Sequence, residues 1–194
     1  MTTYVLATAN PHKAAEMQEI LAPLGVQLVP RPAGVPDVDE TEDTLEGNAL
    51  LKARALCAAT GLAAIADDTG LFVDALDGRP GVLSARFAGD TARYQDNTLK
   101  LLDELSGVAP PRTAHFTSVI VVASPDGGWW SVEGVLDGVI IEAARGSGGF
   151  GYDPVFELLG EDRRTLAELT PAEKNVVSHR GRALRALVEK LVAG

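Results

Sequence analysis

Apolar and polar residues along the chain fall into blocks whose period changes, and the changes mark the elements. YVLAT (4–8) is a short β-prone run that passes directly into NPHKAAEMQEILAPLG (10–25), where Ala14, Met17, Leu21 and Leu24 recur at helical spacing. Asn10 suits the N-cap, Pro11 the first helical position and Gly25 the stop. VQLVP predicts a second strand, and RPAGVPDVDETED a proline-rich acidic loop. An alanine- and leucine-rich segment from about Thr44 to Thr60 predicts a helix that ends before Gly61.

AIAD (64–67) then reads as a buried strand and LFVDAL (71–76) as another, separated by a break at Thr69 and Gly70. DGRPGVLSARFAGD is loop-like. TARYQDNTLKLLDELSG is helical, with Tyr94, Leu101, Leu102 and Leu105 turned towards a core. AHFTSVIVVASPDGGWWSVEGVLDGVIIEA holds three β-rich runs, the first two joined as a hairpin through PDGG. The last third has a glycine-rich loop, GSGGFGYDP, a short capped segment, TPAEKN, and a helix from Ser178 with Ala183, Leu184, Leu187, Val188 and Leu191 as its stripe. Alternating elements with no evident linker predict one α/β unit, residues 1–194, around a mixed sheet.

Composition narrows the function. The chain has 194 residues and a net charge of -10, which argues against binding a long nucleic acid, since counterion release needs a basic surface. No apolar run reaches the roughly 20 residues of a membrane span, and MTTYVLATAN has no signal-peptide pattern, so no membrane association and a cytoplasmic location are expected. The single cysteine, Cys57, lies in a helical stretch and reads as a small buried hydrophobe. Small phosphorylated ligands remain open, because they need only a few local cations or a metal ion.

Five stretches carry candidate chemistry. Lys13 falls at the third position of a helix capped by Asn10, where the macrodipole disfavours a cation unless an anion joins it; His12 reads as exposed. In AIADDTG two adjacent carboxylates repel, and strand alternation sends Asp67 and Asp68 to opposite faces. One can face a cleft while the other caps a turn, and Asp39, Glu40, Glu42 or Asp43 of the acidic loop can complete an oxygen-ligand site. Lys52 lies at the edge of the buried face of its helix, within reach of either solvent or a phosphate. Four glycines in GSGGFGYDP free the backbone for close approach, with Phe150 or Tyr152 offering a stacking face and Asp153 acceptors. In TPAEKNVVSHRG, Thr170, Pro171 and Glu173 form a capping box that presents Lys174, and Ser178 can cap the helix that begins with the cationic pair His179 and Arg180.

The motifs VLATANPHKAAEM, ETEDTLEGNALLKA, AIADDTGLFVDAL, GRPGVLSARFAG, GSGGFGYDPVF and AELTPAEKNVVSHRGRAL, in this order, resemble the inosine triphosphate pyrophosphatase family over nearly the whole chain. The resemblance implies an elongated mixed sheet flanked by helices, with two lobes around a central nucleotide-binding cleft, in a homodimer. It implies a Mg2+-dependent hydrolase that converts inosine, deoxyinosine and xanthosine triphosphates to monophosphate and pyrophosphate, clearing deaminated purines from the nucleotide pool. By position, Thr8, Asn10, His12 and Lys13 would belong to the phosphate-binding loop, with Lys52 a second phosphate contact. Glu40 and Asp68 would hold the metal, Asp68 also aligning water. Thr69, Phe150, Gly151, Tyr152, Asp153, Lys174, Ser178, His179 and Arg180 would bind substrate, Phe150 as the stacking ring, while Asp67 supports the turn. Two departures from the family pattern stand out: Gly47 replaces a larger residue, and PHK replaces a loop of small residues.

Overall fold

The computed structural model describes residues 3–8, 10–22 and 26–193. Among them are seven strands: β1 (Thr3–Leu6), β2 (Gln27–Val29), β3 (Ala63–Val73), β4 (Pro80–Gly81), β5 (Thr113–Ala123), β6 (Trp129–Ile140) and β7 (Phe156–Leu158). The helices are α1 (Pro11–Leu21), α2 (Leu45–Thr60), α3 (Tyr94–Glu104), α4 (Pro171–Val177) and α5 (His179–Ala193). The sheet order is β2-β1-β3-β5-β6-β7, with β4 paired to β3. β1 runs parallel to both β2 and β3, whereas β3 with β4 and β6 with β7 are antiparallel, so the sheet is mixed.

Contacts divide the chain into two compact units, and β3, β5 and β6 contribute to both. The first comprises Met1–Asp68, Ser118–Gly134 and Arg180–Gly194. Its core joins Leu6 and Ile65 of the sheet to Met17 and Leu21 of α1 and to Ala183, Leu184 and Leu187 of α5. Full burial of a Leu or Met side chain contributes ~1.5–3 kcal/mol, so this seam anchors both helices against the sheet. α2 buries Ala49, Ala53, Leu56 and Cys57, and the Cys57 thiol, a small buried group as expected, lies 3.2 Å from the Ala123 carbonyl oxygen. The second unit, Thr69–Thr117 and Val135–His179, packs Leu71, Val73, Leu101, Leu105, Phe116 and Phe156.

Local chemistry accounts for the helix ends. Asn10 caps α1 by accepting from the His12 N–H at 3.0 Å, with Pro11 at the first position. Thr44 caps α2, and Gly61, at φ 68°, ends it in the left-handed region that favours glycine. Thr170 and Glu173 close a reciprocal capping box on α4. The expected roles of Leu24 and Gly25 lie outside the described residues.

Three expectations are corrected. AIAD and LFV are one strand, β3, unbroken at Thr69 and Gly70, and Asp74–Leu76 leave it as a 3-10 turn. A Cβ on Gly70 would sit 2.7 Å from the Gly81 carbonyl oxygen, so this glycine admits the close pass of β4 rather than making a turn. Likewise the second and third β-rich runs are a single strand, β6, joined to β5 by a turn at Ser124–Gly128. Tyr94, expected in the core, starts α3 and is 41% exposed, with its ring against Phe150 at 5.7 Å between centroids.

Candidate functional site

The first cluster lies within the first unit and is organised by β3. Its alternation carries Asp67 and Asp68 to separate partner sets, as the sequence predicts. Asp68 Oδ1 accepts from Lys52 Nζ of α2 at 2.9 Å, and the same ammonium donates to Glu40 Oε1 at 3.1 Å. Of the four loop acids named as candidates it is therefore Glu40 that meets Asp68; Asp39, Glu42 and Asp43 are exposed. Asn48 holds this loop in place. Its side chain is fully buried, accepts from the Glu42 N–H at 3.0 Å and donates to the Glu42 carbonyl at 3.1 Å. Gly47 has a related cause, because a Cβ there would lie 2.7 Å from Glu42 Cβ.

Asp68 Oδ2 is buried and has no hydrogen-bond partner among the described residues. Burial raises the Asp68 carboxyl above its ordinary value, although Lys52 and Lys13 pull the other way. Burial also opposes the charge on Lys52, but Asp68, Asp67 and Glu40 outweigh it and hold that ammonium above its usual range.

Asp67 does not support a turn. Its side chain is wholly buried, with Oδ2 3.0 Å from Lys13 Nζ and 3.4 Å from Arg180 Nε. Arg180 also donates to Glu16 of α1, so four ionised side chains from α1, β3 and α5 form one buried cluster. Burial disfavours the Asp67 carboxylate, but Lys13, Arg180 and Lys52 more than offset it and hold the acid far below the usual range. Burial, with Arg180 and Lys52, pushes Lys13 down. The sequence flags Lys13 and Arg180 as cations misplaced at helix N-termini, and this shared carboxylate is what compensates them within the protein. Glu16, three residues after Lys13 on the same helical face, is the member that sequence reasoning missed.

Around the start of α1, Thr8 Oγ1 accepts from the Asn10 N–H at 3.1 Å. His12 is exposed. A cavity of about 550 Å³ opens beside Thr8, walled by Pro30, Arg31, Pro32, Val35 and Asp37.

The second cluster lies within the second unit. Asp153 Oδ2 accepts from the Phe150 N–H at 2.8 Å and from Lys174 Nζ at 2.7 Å, and that ammonium stands 4.5 Å from the centre of the Phe150 ring. The glycine-rich loop is shaped for this. Gly149 and Gly151 have φ of 68° and 65°, and a Cβ on Gly149 would collide with Asp153 Oδ2. Thr98 donates to the Gly151 carbonyl at 3.2 Å and pins the loop to α3. Tyr152 is turned into the core instead of offering a stacking face: its phenol donates to the Ser84 carbonyl at 2.9 Å, and burial pushes it well above the usual value. Ser178 is buried between α4 and α5. His179 is buried as well, its ring stacked on Phe116 at 4.5 Å and 14°. Thr69 is half-buried on β3. Tyr94 and Thr98, absent from the sequence-based set, come to this cluster from a helix whose pattern signals only packing.

No group of three or more His, Cys, Asp or Glu side chains suited to a metal ion exists among the described residues. Glu40 and Asp68 are a pair, and a pair suits magnesium completed by waters and substrate phosphates. Among the described residues no helix is long and apolar enough to cross a membrane.

Comparison with known proteins places the chain in a family. Residues 4–190 match the model of the Ham1 family. The chain is 50% identical over 193 residues to the dITP/XTP pyrophosphatase of Streptomyces coelicolor, covering 97% of this chain and 96% of that one. It is 47% identical to the dITP/XTP pyrophosphatase of Geobacter sulfurreducens, with 98% and 97% covered. Among solved structures, a HAM1 protein from Coxiella burnetii superposes with a TM-score of 0.92 at 41% identity over the whole of both chains. The dITP/XTP pyrophosphatase from Mycobacterium abscessus does so at 0.76 and 45%, covering 98% of this chain and all of that one. The family model spans nearly the whole chain and the relatives match it end to end, so the chain belongs to the Ham1 family.

Proposed function

We propose that the protein hydrolyses the triphosphates of deaminated purines, inosine, deoxyinosine and xanthosine, to nucleoside monophosphate and pyrophosphate, with Mg2+ as cofactor. Kinship with dITP/XTP pyrophosphatases over almost the full length supports the reaction class. The observation that carries the chemistry is the Glu40–Lys52–Asp68 arrangement, two carboxylates converging on one cation with a spare buried oxygen on Asp68. Glu40 and Asp68 would hold the metal, which when bound supplies positive charge against the phosphoanhydride oxygens.

The residues then divide the work. Lys13, fixed by Asp67, and Lys52 offer ammonium groups to the phosphates, beside Thr8, Asn10 and the open space at Thr8. Asp68 orients the attacking water by accepting its hydrogen bond. Phe150 presents a ring to the base, with Lys174 and Asp153 locking its loop. Gly151, Tyr152, Thr69 and Ser178 shape the binding residues' backbone and packing. His179 and Arg180 are assigned as donors for the 6-carbonyl of hypoxanthine or xanthine, Arg180 once it turns from Asp67 and Glu16. Adenine carries an amino donor there and would leave such donors unpaired, a mismatch worth on the order of 10⁴-fold. Guanine must be rejected at its 2-position. The exposed Leu83 in GVLSARFAG belongs to the surface we assign to a homodimer.

Product analysis tests the reading. With Mg2+ and inosine, xanthosine, guanosine and adenosine triphosphates, pyrophosphate should appear for the first two far faster than for the others. Orthophosphate as the first product would make the protein a phosphatase, and nucleotide binding without turnover would make it a regulator. Asp68→Asn should bind nucleotide and lose most turnover; near-normal pyrophosphate release would remove Asp68 from the mechanism.

A further inference from the structure

We infer that Lys52 is a resident counter-cation that occupies the Glu40–Asp68 pair until nucleotide arrives, so that divalent-metal binding is tied to nucleotide binding. The inference rests on the reading of Glu40 and Asp68 as metal-holding groups and adds an order to their use. Lys52 Nζ makes two charge-assisted hydrogen bonds, 3.1 Å to Glu40 Oε1 and 2.9 Å to Asp68 Oδ1, with its side chain only 16% exposed. An ammonium so placed pairs with one oxygen of each acid and stands between them.

Magnesium needs oxygens at about 2.0–2.1 Å and carries two charges, so it cannot share both carboxylates with that ammonium without strong repulsion. Lys52 must give up at least part of its contact, and its four-carbon stem allows the head group to swing. In the free protein its charge would then lose its partners in a largely buried setting. An incoming polyphosphate removes that penalty by giving the ammonium new anionic oxygens, while Asp68 Oδ2, already buried without a hydrogen bond, is ready to take a cation. Thermodynamic linkage makes the effect mutual: the anion that draws Lys52 away strengthens the metal site, and metal on the acids frees Lys52 for the anion.

The test is the Mn2+ binding isotherm of the nucleotide-free protein, read from the electron paramagnetic resonance of unbound Mn2+. Lys52→Met and Lys52→Gln remove the competing charge and should tighten Mn2+ binding by roughly tenfold or more. Lys52→Arg keeps the charge and should stay as weak as the native chain. Adding Glu40→Gln to Lys52→Met should abolish the gain, assigning it to this acidic pair. Binding by the Met and Gln variants equal to or weaker than native, or a gain that survives Glu40→Gln, overturns the inference. Failure of the functional reading looks different: the native protein would then release no pyrophosphate from inosine triphosphate at any metal concentration, whatever the isotherms give.

Discussion

Asp67→Asn is the substitution with the largest expected effect for the smallest change of shape. The carboxylate has no exposed surface and sits 3.0 Å from Lys13 Nζ and 3.4 Å from Arg180 Nε. Removing one partner of a buried ion pair typically costs ~3–5 kcal/mol, because the remaining charges are left uncompensated. Asparagine keeps one acceptor for Lys13, and Glu16 still holds Arg180, so the loss should fall near ~3 kcal/mol. For a chain of this size that is a fall of roughly 6–12 °C in Tm, read by calorimetry. In the double variant Asp67→Asn/Lys13→Met the ammonium left without its carboxylate is also gone, so part of the loss should return. The pH dependence has a definite sign. The folded pKa of Asp67 lies below its unfolded value of about 3.9, so its contribution is complete above that pH and is lost as pH falls through the folded pKa. Stability of the Asn variant should therefore fall less steeply in acid than that of the native protein. A loss under about 1 kcal/mol, the range of an exposed pair, would refute the picture of a buried cluster held by one carboxylate.

Three further outcomes are expected. Glu173 is held down to about 2 by the Thr170 backbone N–H first, then by the Thr170 hydroxyl and Arg164, so the Tm advantage over Glu173→Gln should be full above about pH 4.5 and fade as pH falls towards 2. Gly149→Ala would set a Cβ against Asp153 Oδ2 at φ 68°, so the loop should shift, raising KM for inosine triphosphate more than it lowers kcat. Leu184→Ala, at a site with no exposed surface in the α1–α5 seam, should cost ~2–5 kcal/mol in urea unfolding.

Features fixed by local chemistry were legible in the sequence. The caps at Asn10 and Thr170 and the stop at Gly61 involve residues within four positions of one another, and each reads directly from residue type. Strand alternation alone also separates Asp67 from Asp68. What failed depended on distant neighbours. Gly70 looks like a strand break until Gly81 is seen to pass against it. Two acids beside such a break suggest a turn, whereas the cation facing Asp67 from α5 is 113 residues away in sequence. Tyr152 and His179 sit in motifs rich in chemistry, yet the rings pack on the core, because only the folded chain brings Ser84 and Phe116 to them.

β3 carries a further consequence. Its parallel register with β1, Tyr4 to Ala63 and Leu6 to Ile65, decides which of two adjacent carboxylates meets which set of cations. A slip of one residue would exchange Ile65 for Ala66 in the α1–α5 seam and turn Asp68 towards Lys13 and Arg180. The same parity that seats the greasy side chains thus also addresses the acids. A chain that errs in this pairing loses its packing and its chemistry together, so a mis-registered molecule has no way to persist as a folded but miswired enzyme.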